Sequence, residues 1–140
     1  PAMTFHHMYH ERSRFLEALA ERHDTGSLIH LVVSQHASLI RLRSHWPLLR
    51  AYRVPKSGAS FHELRIFREL SENVNDGDIV LLMCGPMGRI LAPEFFTARP
   101  SVTVLNLGSY FDCDMFPDCV TQFAKGTHFH CETCYRKKKL

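Results

Sequence analysis

No stretch of the 140-residue chain approaches the roughly 20 consecutive apolar residues that a membrane-spanning helix needs. The opening PAMTFHHMYHERSRF has no apolar segment of the signal-peptide kind. Both absences predict a cytoplasmic protein with no membrane span. Charge of one sign is scarce too: the formal net charge is +3, and four basic residues stand together at Arg136, Lys137, Lys138 and Lys139. A groove that follows a nucleic-acid backbone needs Lys and Arg spread over a face, with aromatics between them for single strands, so no nucleic-acid partner is expected. Also missing are G-x-G-x-x-G and G-x-x-x-x-G-K-[ST], which disfavours a dinucleotide or ATP site.

The chain is not poor in apolar residues or in cysteine. A hydrophobic content of 45% with 22% charged residues suits one ordinary core, so residues 1–140 are read as a single domain ending in a basic, Cys/His-containing tail over 125–140. Five cysteines, an odd number without a leader, point to reduced thiols. In HFHCETC, the gap between Cys131 and Cys134 lets two thiolates reach one zinc ion, with His128, His130, Cys113 or Cys119 to complete four ligands. Unpaired cysteines near a chain end are the alternative.

Two hydrophobic periods alternate along the chain. HERSRFLEALAERH places Phe15, Leu16, Leu19 and Ala20 at helical spacing before the stop DTGS. Leu28–Ser34 and Leu48–Val54 read as strands, with a helix over Ala37–Trp46 between them. SFHELRIFRELSENV opens with the capping-box pattern Ser60-x-x-Glu63 and sets Phe61, Leu64, Phe67 and Leu70 along one face. Ile79–Cys84 is the next strand, followed by a helix from about Met87 to Phe96 and a strand over Val102–Leu107. Strands made of unbroken apolar runs, each followed by a helix, predict an α/β, Rossmann-like three-layer sandwich with a mostly parallel sheet. Ligands of such sheets sit at the carboxyl ends of the strands.

Two chemical features lie at such ends. Gly85-Pro86-Met87-Gly88 supplies two residues without a β-carbon and opens a helix whose free amides favour an anion such as phosphate. Beyond the next strand, Gly108-Ser109 turns the chain into Asp112-Cys113-Asp114. An alternating backbone there aims both carboxylates at one side, where magnesium or manganese prefers oxygen ligands. Each feature has an ordinary backbone explanation as a strand-to-helix turn, but together they form the parts of a nucleotide-diphosphate site.

VLLMCGPMGRILAPEFF and VTVLNLGSYFDCDMF resemble the core of the GT-D type glycosyltransferases, where an apolar strand, a Gly-Pro turn and a helix lead to a strand ending in D-I-G-S or D-I-G-H and then acidic residues. YRVPKSGASFHE looks like that family's preceding strand, Val-Pro turn and helix start, and KGTHFH is similar to a basic, aromatic segment that often follows. The resemblance extends from about Leu28 to Phe116. It implies that Gly85, Pro86 and Met87 lie against a nucleotide-sugar donor and that Gly108, Ser109 and Asp112 line the same pocket. Asp114 would complete an acid pair holding Mn or Mg on the donor diphosphate. Asn106 stands where the family commonly has aspartate, and the family's R-Y-G-D-G-E segment is absent.

The implied activity is transfer of a sugar from a nucleotide-sugar to a hydroxyl acceptor, glycan or other. Glu63, His62, His128 and His130 are candidate bases for deprotonating the acceptor, although Glu63 also reads as a helix cap. Two other readings stand beside the enzyme: a catalytically silent nucleotide-sugar binding module, and an interaction domain built on a zinc-stapled basic carboxyl end.

Overall fold

The apolar runs form four strands, β1 (Ile29–Ser34), β2 (Arg50–Val54), β3 (Ile79–Met83) and β4 (Thr103–Asn106), in a computed structural model that describes residues 12–55, 57–108 and 110–116. The sheet order is β2-β1-β3-β4 and every pairing is parallel. Position in the sheet explains the composition of the strands. The inner strands β1 and β3 are buried on both faces and carry almost nothing but apolar side chains, whereas β2 and β4 at the edges alternate or lie half-open.

On one face, Ile29, Leu31 and Val33 join Ile79, Leu81 and Met83 beneath helices α1 (Arg12–Asp24) and α2 (Ile40–His45). Leu19, Leu42 and Trp46 descend from those helices, and Phe111 and Met115 come from the region of a four-residue helix, α5 (Asp112–Met115). The other face carries α3 (Glu63–Asn73) and α4 (Met87–Ala98), whose Ile66, Leu70, Leu91 and Phe95 cover Val32, Val80 and Leu82. The molecule is therefore a three-layer, Rossmann-like α/β sandwich. The chain leaves β1 outward through α2 on one face and returns from β2 to β3 through α3 on the other. Right-handed crossovers require that change of face when the direction reverses, and it places the topological switch point between β1 and β3.

Two helix expectations are corrected. The helix expected from Ala37 begins only at Ile40: the Arg53 guanidinium accepts no helix role but donates to the carbonyls of Ser34, Gln35 and Ala37, holding that segment as a loop. The Ser60–Glu63 capping box does not form. Ala59–His62 is a 3₁₀ turn, α3 starts at Glu63, and no side chain caps it. The tighter turn shifts the helical phase, so the buried stripe runs through Ile66 and Leu70, while Phe61 is 91% and Leu64 67% exposed.

One polar cluster interrupts the core. His30 on β1 is fully buried, with Nδ1 2.8 Å from the Tyr52 hydroxyl and Nε2 2.9 Å from Asp78 Oδ2. Asp78 also accepts the N–H groups of Leu28 and Asn75, each at 3.0 Å. A neutral imidazole satisfies both contacts, donating from Nε2 to the carboxylate and accepting the Tyr52 O–H at Nδ1. Burial holds the His30 pKa below its ordinary value, although Asp78 pulls the other way. Burial opposes ionisation of Asp78, but the N–H of Asn75, His30 and the N–H of Leu28 together outweigh it, so its carboxyl ends below the usual range. The cluster lies toward the amino ends of the strands and buries all three side chains, so it works as a structural pin.

Candidate functional site

The carboxyl ends of β1, β2 and β3 surround a pocket of about 380 Å³. Ser34 comes from the end of β1, Val54 and Pro55 from the end of β2, and Met83 and Cys84 from β3. Two turns close it: Gly58-Ala59-Ser60 before α3, and Gly85-Pro86-Met87 at the start of α4. Each turn depends on its glycine, since Gly58 has φ 70° and Gly85 φ 62°, in the left-handed region that side chains with a β-carbon avoid. Pro86 needs no N–H where it stands and precedes a twelve-residue helix, so the amino end of α4 opens onto the pocket. The Arg53 guanidinium that pins residues 34–37 also fixes the β1 side of the rim.

The chemistry of the lining is that of a binding cleft. Burial pushes the Cys84 thiol up to about 12, which keeps it protonated at neutral pH and unsuited to nucleophilic attack. Gly85, Pro86 and Met87, singled out in the sequence, line the pocket together. Gly88 does not: it is buried, and a β-carbon there would lie 2.9 Å from Asn106 Oδ1 on β4, so this glycine serves helix-to-strand packing. The Ser34 and Gly58–Ser60 contributions carry no motif of their own. Only the Val-Pro turn within the glycosyltransferase-like segment hinted at them.

The acidic segment beyond β4 is arranged differently from the expectation. Gly108 makes its turn with φ 54°, and Ser109 lies outside the described residues. Asp112 and Asp114 then stand in α5, and two residues apart on a helix do not share a side, so the extended geometry that would aim both carboxylates at one ion is not present. Neither residue lines the pocket. α5 is tied to the loop after β1 by the Ser38 N–H donating to the Met115 carbonyl at 2.8 Å, which carries it across the β3 end on the α2 side. Burial pushes the Asp112 carboxyl up to about 7, where it can exchange a proton near neutrality.

Among the described residues no group of three or more His, Cys, Asp or Glu could hold a metal ion. Glu63 lies in a groove between α3 and α4, with Leu64, Phe67, Pro93 and Glu94, outside the pocket. The Glu94 carboxyl beside it, with burial, pushes its pKa up. His62 is half-buried at the end of the 3₁₀ turn. His128, His130, Cys119, Cys131 and Cys134 fall outside the described residues, while Cys113 is half-buried in α5. No described helix is long and apolar enough to cross a membrane. No family model, no curated protein and no solved structure matches the chain.

Proposed function

We propose that the chain binds the diphosphate of a nucleotide-sugar at the β1/β3 switch point and transfers the sugar to a hydroxyl acceptor. The observation that carries this reading is the meeting of two left-handed glycine turns, Gly58 and Gly85, on one pocket at the strand ends. One of the turns opens α4. A diphosphate can approach bare backbone at both turns, and the α4 dipole favours negative charge at its amino end. In sugar transfer the nucleoside diphosphate is the leaving group, so charge grows on the side the helix end stabilises. The resemblance to the GT-D glycosyltransferases supports the same placement of Gly85, Pro86 and Met87.

Asp112 is the carboxyl we assign to the metal or proton side of the reaction. Outside the pocket lining and with its pKa raised to about 7, it would accept a proton from an acceptor hydroxyl or, once ionised, hold a divalent cation only where the bound donor reaches beyond the pocket to α5. Manganese or magnesium, when bound there, supplies positive charge to the leaving group. The catalytically silent binding module is the second reading, favoured by Asn106: an amide that cannot ionise packs toward Gly88 where the resembling family carries an aspartate.

Thermal melting with a panel of nucleotide-sugars and nucleoside diphosphates, with and without manganese, tests the proposal. A ligand that binds only the folded state at 100 times its Kd adds about 2.7 kcal/mol, a clear rise in Tm. Release of nucleoside diphosphate in the presence of acceptor separates the transferase from the silent module. Unchanged Tm across the whole panel overturns both.

A further inference from the structure

We infer that Phe61 is the platform on which the nucleobase of the bound donor stacks, an inference that rests on the nucleotide-sugar reading above. The pocket is small for such a ligand. At about 380 Å³ it lies near the lower end of the roughly 300–1,000 Å³ of ligand clefts. A nucleotide-sugar carries a nucleobase, a ribose and a sugar besides its diphosphate, too much for this volume, so part of the ligand must rest on the rim. Phe61 stands at that rim. It follows Ser60, the last lining residue of the β2–α3 turn, and a β-carbon on the lining residue Gly58 would lie 3.3 Å from its Cδ2 and 3.7 Å from its Cε2.

The turn that carries the ring is held in place, and the ring itself is open. The 3₁₀ turn Ala59–His62, closed by the Phe61 N–H donating to the Gly58 carbonyl at 3.1 Å, sets its direction. At the same time Phe61 is 91% exposed, the most exposed of the large apolar side chains described. Phe67 and Phe95 of this layer behave differently, packing edge to face at 5.7 Å. An open aromatic ring beside a polar-ligand pocket offers a π-face that any base can cover, with Gly58 free of the β-carbon that would crowd it.

The placement also gives the ligand a direction. The base lies over the β2 side and the diphosphate at the β3–α4 turn. Because stacking tolerates every base, Phe61 contributes affinity without selecting among uracil, guanine, adenine and cytosine.

The test is calorimetric titration of wild type, Phe61→Ala and Phe61→Tyr with uridine, guanosine, adenosine and cytidine diphosphates and with pyrophosphate, in manganese. Loss of base stacking weakens binding by about 5- to 150-fold. Phe61→Ala should show that loss for the nucleotides that bind wild type, with pyrophosphate affinity unchanged, and Phe61→Tyr should restore nucleotide binding. Removing an exposed side chain shifts stability by only about 0.5 kcal/mol, so Phe61→Ala should keep the wild-type Tm. Equal nucleotide affinity in wild type and Phe61→Ala overturns the platform while leaving the proposed function standing. Equal losses for nucleotide and pyrophosphate also overturn it, because Phe61 then only supports the turn. If wild type binds no nucleotide, the reading beneath falls and the platform falls with it.

Discussion

Replacing Asp78 by alanine should unpin the amino ends of β1 and β3. The carboxylate accepts three hydrogen bonds, from the Leu28 N–H at 3.0 Å, the Asn75 N–H at 3.0 Å and His30 Nε2 at 2.9 Å. Hydrogen bonds to a charged group contribute about 1.5–3 kcal/mol each, but the alanine also removes a carboxylate that burial penalises. Each of the three buried donors left without a partner costs about 1–3 kcal/mol, so the net loss should be ~3–5 kcal/mol once the relieved carboxylate burial is set against it, a large share of the ~5–15 kcal/mol that stabilises a domain. Urea unfolding can be followed through Trp46, the one tryptophan of the sequence and fully buried. With a slope of ~1–3 kcal/mol per molar urea, the midpoint should fall by more than ~1 M. Asp78→Asn should also destabilise, because its amide turns N–H groups toward groups that are themselves donors. The pH dependence carries the same signature. The His30 pKa lies below its ordinary 6.5, so the unfolded chain takes up that proton first; stability is complete above pH 6.5 and declines as pH falls through the folded value. Asp78, also lowered, adds a second loss below its ordinary 3.8. His30→Gln should abolish the upper window and keep the lower. A midpoint unchanged in Asp78→Ala, or a wild-type stability that is flat from pH 7 to pH 5, would refute the reasoning.

Gly85→Ala should cost ~1–2 kcal/mol through its left-handed backbone and weaken nucleoside diphosphate binding, even though no heavy atom lies within 4 Å of the new β-carbon; circular-dichroism melts and calorimetry read the two effects. Gly88→Ala should leave diphosphate affinity unchanged and stability within ~1 kcal/mol, because the exposed Asn106 amide can swing aside while the helix gains propensity; lost affinity would place Gly88 in the pocket wall. Asp112→Asn should raise stability at pH 8 by on the order of 2 kcal/mol, after allowing for partial exposure. The wild-type pKa is raised to about 7, so its stability is full below the ordinary 3.8 and is lost as pH rises through 7. The same variant should lose manganese-dependent nucleotide binding, measured by titration with and without the metal.

Strands that are buried on both faces announce themselves, and β3 reads directly as an unbroken apolar run and β1 as one interrupted within its span only by His30 for that reason. The phase of α3 was not legible, because Phe61, Leu64, Phe67 and Leu70 satisfy a helical period as well as Ile66 and Leu70 do. The 3₁₀ turn that decides between them leaves no composition signal. Half of the pocket was visible as the Gly-Pro turn after β3. The half from Gly58 to Ser60 looks like any small-residue loop until a parallel pairing brings the β2 end level with β1.

That level is set by the buried polar cluster as much as by the apolar strands. In the observed register His30 pairs with Val80 and Val32 pairs with Tyr52, so Asp78 and Tyr52 each sit one diagonal step from His30 on the same face. A slip by one residue would turn every side chain of a strand to the opposite layer and strand the imidazole without either partner. Apolar residues such as Ile, Leu and Val tolerate exchange of place with one another better than a buried His–Asp contact does. The His30–Asp78–Tyr52 contacts at the amino ends therefore fix which residues of β1, β2 and β3 finish level at the carboxyl ends. Ser34, Pro55 and Gly85 reach one pocket because of a histidine and an aspartate 48 residues apart in sequence, neither of which touches it.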